Sequence, residues 1–178
     1  INTYTPGQQY DPTVAGLNGG GFVVAWRSDG QDGSGAGVYA QRFDANGVPV
    51  GNEFLVNSTT SSNQYQPTLI GTADGGFVVA WYHDSVNVGG EYYDIFFQRY
   101  NASGVAQGGE TRGNPTGLGT VAQSEPSLAA LSGGGFVLTW TDQSTDGSGN
   151  GVFAQRFNAN GTTAGSSFQV NTFTTGDQ

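Results

Sequence analysis

The sequence has no cysteine and no methionine, every base in it is arginine, and histidine occurs once, as His83. Without cysteine there can be no disulfide, thiol nucleophile or thiolate metal site. One imidazole cannot build a His-rich zinc centre, and no Gly-x-Ser-x-Gly sequence presents a serine nucleophile. Five bases stand against 14 acids, for a net charge of -9. Phosphate and anionic lipid repel such a chain, so nucleic acid and membrane insertion are not expected. No apolar run approaches the ~18 residues of a membrane span. Apolar residues nowhere keep up spacings of three and four, which argues against amphipathic helices. With neither an initiator methionine nor a signal-peptide pattern, the sequence reads as a mature or excised fragment.

What is present is glycine, 31 of 178 residues, with 35% hydrophobic residues. That balance suits many short strands and turns. One unit is written three times: GGFVVAWRSDGQDGSGAGVYAQRFDANG at 20–47, GGFVVAWYHDSVNVGGEYYDIFFQRYNASG at 75–104 and GGFVLTWTDQSTDGSGNGVFAQRFNANG at 134–161. Trp26, Trp81 and Trp140 lie 55 and 59 residues apart, a period typical of propeller blades. Each unit holds four candidate strands. The first is PTVAGL (12–17), PTLIGT (67–72) or PSLAAL (126–131), opened by a proline that a strand tolerates at its start. The second, at 21–27 and its equivalents around Phe77 and Phe136, is apolar on consecutive residues, so both of its faces should be buried between neighbouring blades. The third ends at (Asp/Asn)-Ala-X-Gly, a hairpin turn whose glycine takes positive φ freely. The fourth lies at 53–57 and 167–171. In the middle unit Thr111, Arg112 and Gly113 replace Phe54, Leu55 and Val56, which predicts a short or frayed outer strand there.

The expected fold is all-β: a β-propeller-like array of three four-stranded antiparallel blades at about 10–64, 65–122 and 123–178, with a β-trefoil as the alternative. Residues 1–9, INTYTPGQQ, are equivalent to 170–178, VNTFTTGDQ. A propeller ring typically takes ~4–8 blades, so other repeats or a second copy should complete it.

These residues resemble the repeat GGFVVxWxS...DGSGxGVYxQRFDAxG...FxVNTxTxGxQ of large secreted bacterial proteins, often found beside haemolysin-type (RTX) calcium-binding sequences. The resemblance spans essentially the whole chain. It implies a non-catalytic module, extracellular or at the cell surface, that serves adhesion, assembly or spacing. The RTX nonapeptide GGxGxDxUx does not occur here, so its calcium chemistry does not carry over.

Binding residues are sought on the loops at 28–36, 83–93 and 141–150, which share one end of the blades with 58–66 and 115–125. Asp29, Asp32 and Ser34, and again Asp142, Asp146 and Ser148, offer hard oxygen ligands among glycines, as calcium requires; the same residues are also ordinary turn formers. The middle loop groups Tyr82, His83, Asp84, Glu91, Tyr92 and Tyr93. Aromatic faces beside hydrogen-bonding groups suit a glycan or other surface ligand, and a carbohydrate-binding lectin is the alternative function. Paired carboxylates of a glycoside hydrolase are a third reading. Arg42, Arg99 and Arg156 fall on the same strand face as Val38, Ile95 and Val152, so each should be partly buried and bridge to the next blade through carbonyls or a carboxylate.

Overall fold

Alternation along a strand sends successive side chains to opposite faces, so a strand apolar at every position must be covered twice. The computed structural model describes residues 1–87, 90–115, 121–143 and 147–177, with the backbone alone at 85–87, 90 and 91. Its described residues form three separate four-stranded antiparallel sheets and no helix. The first holds β1 (Gln9–Leu17), β2 (Gly21–Asp29), β3 (Ala36–Phe43) and β4 (Pro49–Leu55). The second holds β5 (Gln64–Gly71), β6 (Phe77–Asn87), β7 (Gly90–Tyr100) and β8 (Thr111–Arg112). The third holds β9 (Gln123–Ala130), β10 (Phe136–Gln143), β11 (Asn150–Phe157) and β12 (Phe168–Gln169). Strands pair in chain order within each sheet, and β5 lies against β1 on one side and β9 on the other. First strands are thus innermost, as in propeller blades, and the trefoil alternative is set aside.

The middle sheet shows the double burial. Phe77, Val79 and Trp81 pack on Val23, Ala25, Val38 and Ala40 of the first sheet. Val78 and Ala80, with Ile95 and Phe97, meet Phe136, Leu138 and Trp140 of the third. In both interfaces a tryptophan-bearing face lies on the smaller-residue face of the blade before it. Phe77 stacks on Tyr100 and Phe136 on Phe157, at centroid separations of 4.7 and 4.9 Å.

Buried polar side chains repeat with the blades. Gln41, Gln98 and Gln155 donate to the carbonyls of Gly51, Gly108 and Gly165 at 3.0–3.3 Å. These glycines have φ between 78° and 85° and break the outer strand. In the second and third sheets an isolated bridge is all that precedes the break, so β12 is as short as the expected stub β8. Arg42 donates to the carbonyls of Ser103 (2.7 Å) and Ala102 (2.6 Å), and Arg99 to that of Asn160 (2.7 Å), as the inter-blade bridges were expected to do.

One expected loop is instead strand. Residues 83–87 and 90–93 extend the β6–β7 ladder as far as Asn87↔Gly90, in keeping with the strand preference of tyrosine and valine.

Linkers between blades are also alike. Asn57 and Asn114 accept from the amides of Val38 and Ile95 of the blade before, and donate to Gln64 and Gln123 of the blade after. Glu110 accepts from the amides of Ser58 and Thr59. Glu53 does the same for Thr3 and Tyr4, at 2.6 and 3.3 Å. Partial burial pushes the Glu53 carboxyl up, but the bonds from Thr3, Gln31 and Tyr4 outweigh it and hold the group below the ordinary 4.5. A depressed carboxyl stabilises above its unfolded value and loses that contribution as pH falls through the folded one. The segment 1–8 should therefore loosen from β4 in acid below the ordinary glutamate range, whereas in Glu53→Gln its attachment should not respond to pH there. The protection of the Thr3 and Tyr4 amides, measured rate against intrinsic rate at each pH, is the measurement, and protection that does not change with pH in the native chain refutes the assignment.

Candidate functional site

The three inner strands share an irregularity. Each pairs with its second strand through a register shift, at Tyr10/Thr13, Tyr65/Thr68 and opposite Thr139/Thr141. At each shift a non-glycine residue adopts left-handed φ: Asp11 at 51°, Gln66 at 46° and Glu125 at 54°. Each immediately precedes a proline, Pro12, Pro67 or Pro126. Such a backbone costs about 1–2 kcal/mol per residue, and bulges that re-aim side chains gather at functional sites. All three side chains are exposed, at the end of the blades that carries the β2–β3 and β6–β7 connections. Glu125 is held by the Thr141 hydroxyl at 2.8 Å.

Beside Gln66 lies an aromatic cluster. Tyr65 and Tyr82 approach to a centroid separation of 5.1 Å, and Tyr93 meets Tyr82 edge-on at 5.2 Å and Tyr65 at 6.4 Å. The Arg27 guanidinium sits 4.7 Å from the Tyr65 ring centre and 5.1 Å from that of Tyr10, tied to Asp29 at 2.9 Å. A cation between two rings favours the quadrupole of both. Here it joins the first blade to the second. Burial pushes the Tyr65 hydroxyl up, with Asp84 adding to it, and burial followed by Tyr93 does so for Tyr82. Both hydroxyls therefore stay protonated near neutral pH and serve as donor and acceptor. Asp84 Oδ1 is buried with no hydrogen-bond partner among the described residues.

The six residues grouped by sequence divide between two faces. Cross-strand pairs Tyr82↔Ile95 and Asp84↔Tyr93 put Tyr82, Asp84 and Tyr93 on one face. Pairs His83↔Asp94 and Ser85↔Tyr92 put His83 and Tyr92 on the other. The His83 ring packs edge-on against Phe96, with Nε2 3.0 Å from the Ser61 carbonyl. The Glu91 side chain lies outside the described residues. Tyr10, Tyr65, Arg27 and the three left-handed residues are additions from the structure. Their one signal in the sequence is Gln-Tyr-x-Pro at 9–12 and 64–67, with Gln-Ser-Glu-Pro at 123–126.

The calcium candidates are placed as follows. Asp29 pairs with Arg27, and Asp32 Oδ1 accepts the Ser34 amide at 3.0 Å. Asp32 Oδ2 is buried without a partner among the described residues. Burial, then Asp32 and Glu53, push the nearby Tyr39 hydroxyl up to about 12. In the third unit Asp142 occupies the position of Ser28, not of Asp29, and is buried. It accepts from Gln123, which bonds Asn114, which bonds Asp94, which pairs with Arg112: a polar chain between the second and third blades. Asp146 lies outside the described residues, and the Ser148 hydroxyl accepts the Gly176 amide at 3.3 Å. Among the described residues no three of His, Asp and Glu converge as a metal-binding group.

No family model and no curated protein matches the chain. Among solved structures, the fold is similar to that of the endo-arabinase from Bacteroides thetaiotaomicron VPI-5482, with a TM-score of 0.59 at 14% identity, covering 97% of this chain. The match spans 66% of that enzyme, just under two thirds of its length. A protein of unknown function from Dyadobacter fermentans DSM 18053 is similar at 12% identity and a TM-score of 0.40, over 88% of this chain and 67% of its own. At such identities the likeness to the arabinase is one of fold.

If the left-handed backbone at Gln66 is strained, Gln66→Gly should leave the melting midpoint unchanged or raise it, although glycine weakens an ordinary strand. Gln66→Val should lower stability by roughly 1–2 kcal/mol, since a β-branched residue tolerates that conformation least. Equal melting of wild type and Gln66→Val in thermal denaturation rules the strain out.

Proposed function

We propose that the protein is a non-catalytic carbohydrate-binding module of a large secreted bacterial protein, its blade array serving adhesion, assembly or spacing. The observation that carries this reading is the Tyr65–Tyr82–Tyr93 cluster with the unpartnered Asp84 Oδ1 beside it. A sugar ring has an apolar face that stacks on aromatic rings, and hydroxyls that must be satisfied around its edge. Tyrosines supply the first. Asp84, Gln66 and Asp11 supply acceptors and donors for the second, and a sugar hydroxyl is the kind of donor a buried unpaired carboxylate oxygen needs. The fold likeness to an endo-arabinase fits a carbohydrate partner, and the resemblance to repeats of secreted bacterial proteins fits an extracellular setting.

Screening against polysaccharides, arabinan included, followed by titration calorimetry tests the reading. Tyr65→Ala and Tyr93→Ala should each weaken binding about tenfold, the scale of one aromatic contact, without loss of the β-sheet circular dichroism signal. Tyr92→Ala, on the opposite face, should bind as wild type. Binding lost in Tyr92→Ala and kept in Tyr93→Ala, or no glycan bound at all, overturns the proposal.

The unpartnered Asp32 Oδ2 favours a cation as a second ligand, with calcium at the 29–36 loop held by Asp32 and carbonyls. A ligand that binds only the native state raises its stability. The melting midpoint should rise in calcium over EDTA and the rise should vanish in Asp32→Asn; identical midpoints leave 29–36 an ordinary turn.

A further inference from the structure

We propose that two copies of this chain dock head to tail, the first blade of each against the third blade of the other, closing a ring of six blades. Six lies within the ~4–8 blades that close a propeller. The proposal is independent of the carbohydrate reading and rests on the two internal blade contacts, which share one design.

In each, the tryptophan face of the following blade covers the smaller-residue face of the preceding one. Both kinds of face recur on the outer blades with no further blade against them among the described residues, although on the first blade Trp26 and Val24 are only 3% and 6% exposed, within that blade's own cluster. On the first blade Val14 is 64% exposed, whereas its equivalent Leu69 is 6% exposed. Next to it an open groove of ≈ 200 Å³ is lined by Ile1, Asn2, Tyr10, Pro12, Val24 and Trp26. On the third blade Val137, Thr139 and Val152 are half-buried, whereas their equivalents Val78, Ala80 and Ile95 are exposed by at most 1%. Large residues on one end face and small ones on the other are the two halves of the contact already used twice inside the chain.

The arginines fix the direction. Arg42 and Arg99 each reach carbonyls in the turn of the next blade. A Cβ on the turn glycines there, Gly104 and Gly161, would stand 2.9 Å from the incoming arginine Cδ. Arg156 occupies the same strand position and is exposed, and its guanidinium has no partner among the described residues. Gly47 occupies the same turn position in the first blade, and a Cβ on it meets nothing within 4 Å. Docked head to tail, Arg156 of one copy reaches the carbonyls of Ala45 and Asn46 of the other. Like-on-like docking leaves both the donor and the acceptors unused.

The junction contains one linker twice, since 170–177 of one copy and 1–8 of the next are equivalent. The tail bonds as a linker does to the blade before it: Val170 to the Val152 carbonyl, Asn171 to the Val152 amide and Asp177 to the Asn150 amide. The head is tied to the first blade at two points, through Glu53, which accepts from the Thr3 and Tyr4 amides, and through the Gln8 carbonyl, which accepts from the Asp29 amide at 2.9 Å. On docking, the head yields and the tail reaches Glu53.

Sedimentation velocity and light scattering on the 178-residue chain test this. The expected species is a pair, and Arg156→Ala should weaken it at least tenfold through loss of charge-assisted bonds. Val14→Glu and Ala129→Glu change side chains exposed in the single chain, so both should fold, as melting verifies. Each alone should be monomeric. Mixed, they should recover pairing, because one of the two junctions in a mixed pair then has both native faces. A wild-type monomer from nanomolar to millimolar concentration, or a species larger than the pair, overturns the proposal. So does Ala129→Glu pairing as wild type while Val14→Glu does not, which means that tryptophan faces meet each other, and so does a mixture that stays monomeric.

Discussion

Everything in this fold depends on the packing of one blade's tryptophan face onto the smaller side chains of the blade before it. The first sheet holds a small buried cluster of its own, Val24, Trp26, Tyr39 and Phe43, while the two larger cores lie between sheets. Four strands bury little unless another layer covers them, and the central layer is covered on both sides. Trp81 and Trp140 each fill the space above a pair such as Val23 and Ala25 or Val78 and Ala80, so large and small residues alternate through the stack. That alternation lets the same unit be written repeatedly, since the front of each copy is shaped for the back of the last.

Polar side chains then set register where apolar packing alone would allow sliding. Gln41, Gln98 and Gln155 hold the break in the outer strand, and Asn57 and Asn114 hold the linker to the sheets on both of its sides. Each is buried, so an unmet bond there would cost about 1–3 kcal/mol. The inner-strand bulges recur at equivalent positions in the three sheets, so their exposed residues share one end of the blades.

The architecture was legible because its signals are local and repeated. Consecutive apolar residues in the second strand foretold two buried faces, the turn glycines foretold positive φ, and the Gln-Arg pairs foretold inter-blade bridges at Arg42 and Arg99. The candidate site was legible only in part. From the sequence Tyr82, Asp84 and Tyr93 read as part of one loop cluster with His83 and Tyr92, and only the β6–β7 register puts His83 and Tyr92 on the far side. Tyr10, Tyr65 and Arg27 come from other strands and other blades, and their approach is set by how far the inner strands shift at Asp11 and Gln66. Asp142, a carboxylate in a calcium-like spacing, is a buried link between blades, and its position is that of Ser28.

The arginine pins point one way only, each blade gripping its successor, so the stack has polarity in the sense that a filament does. Coupling between nearest neighbours alone makes the array behave as a short one-dimensional chain of cooperative units. Arg42 holds the turn of the second blade and Arg99 that of the third, both through backbone carbonyls. Loosening one pin should therefore free one pair of blades and leave the other pair gripped, so the middle blade, held from behind and holding ahead, is coupled to both.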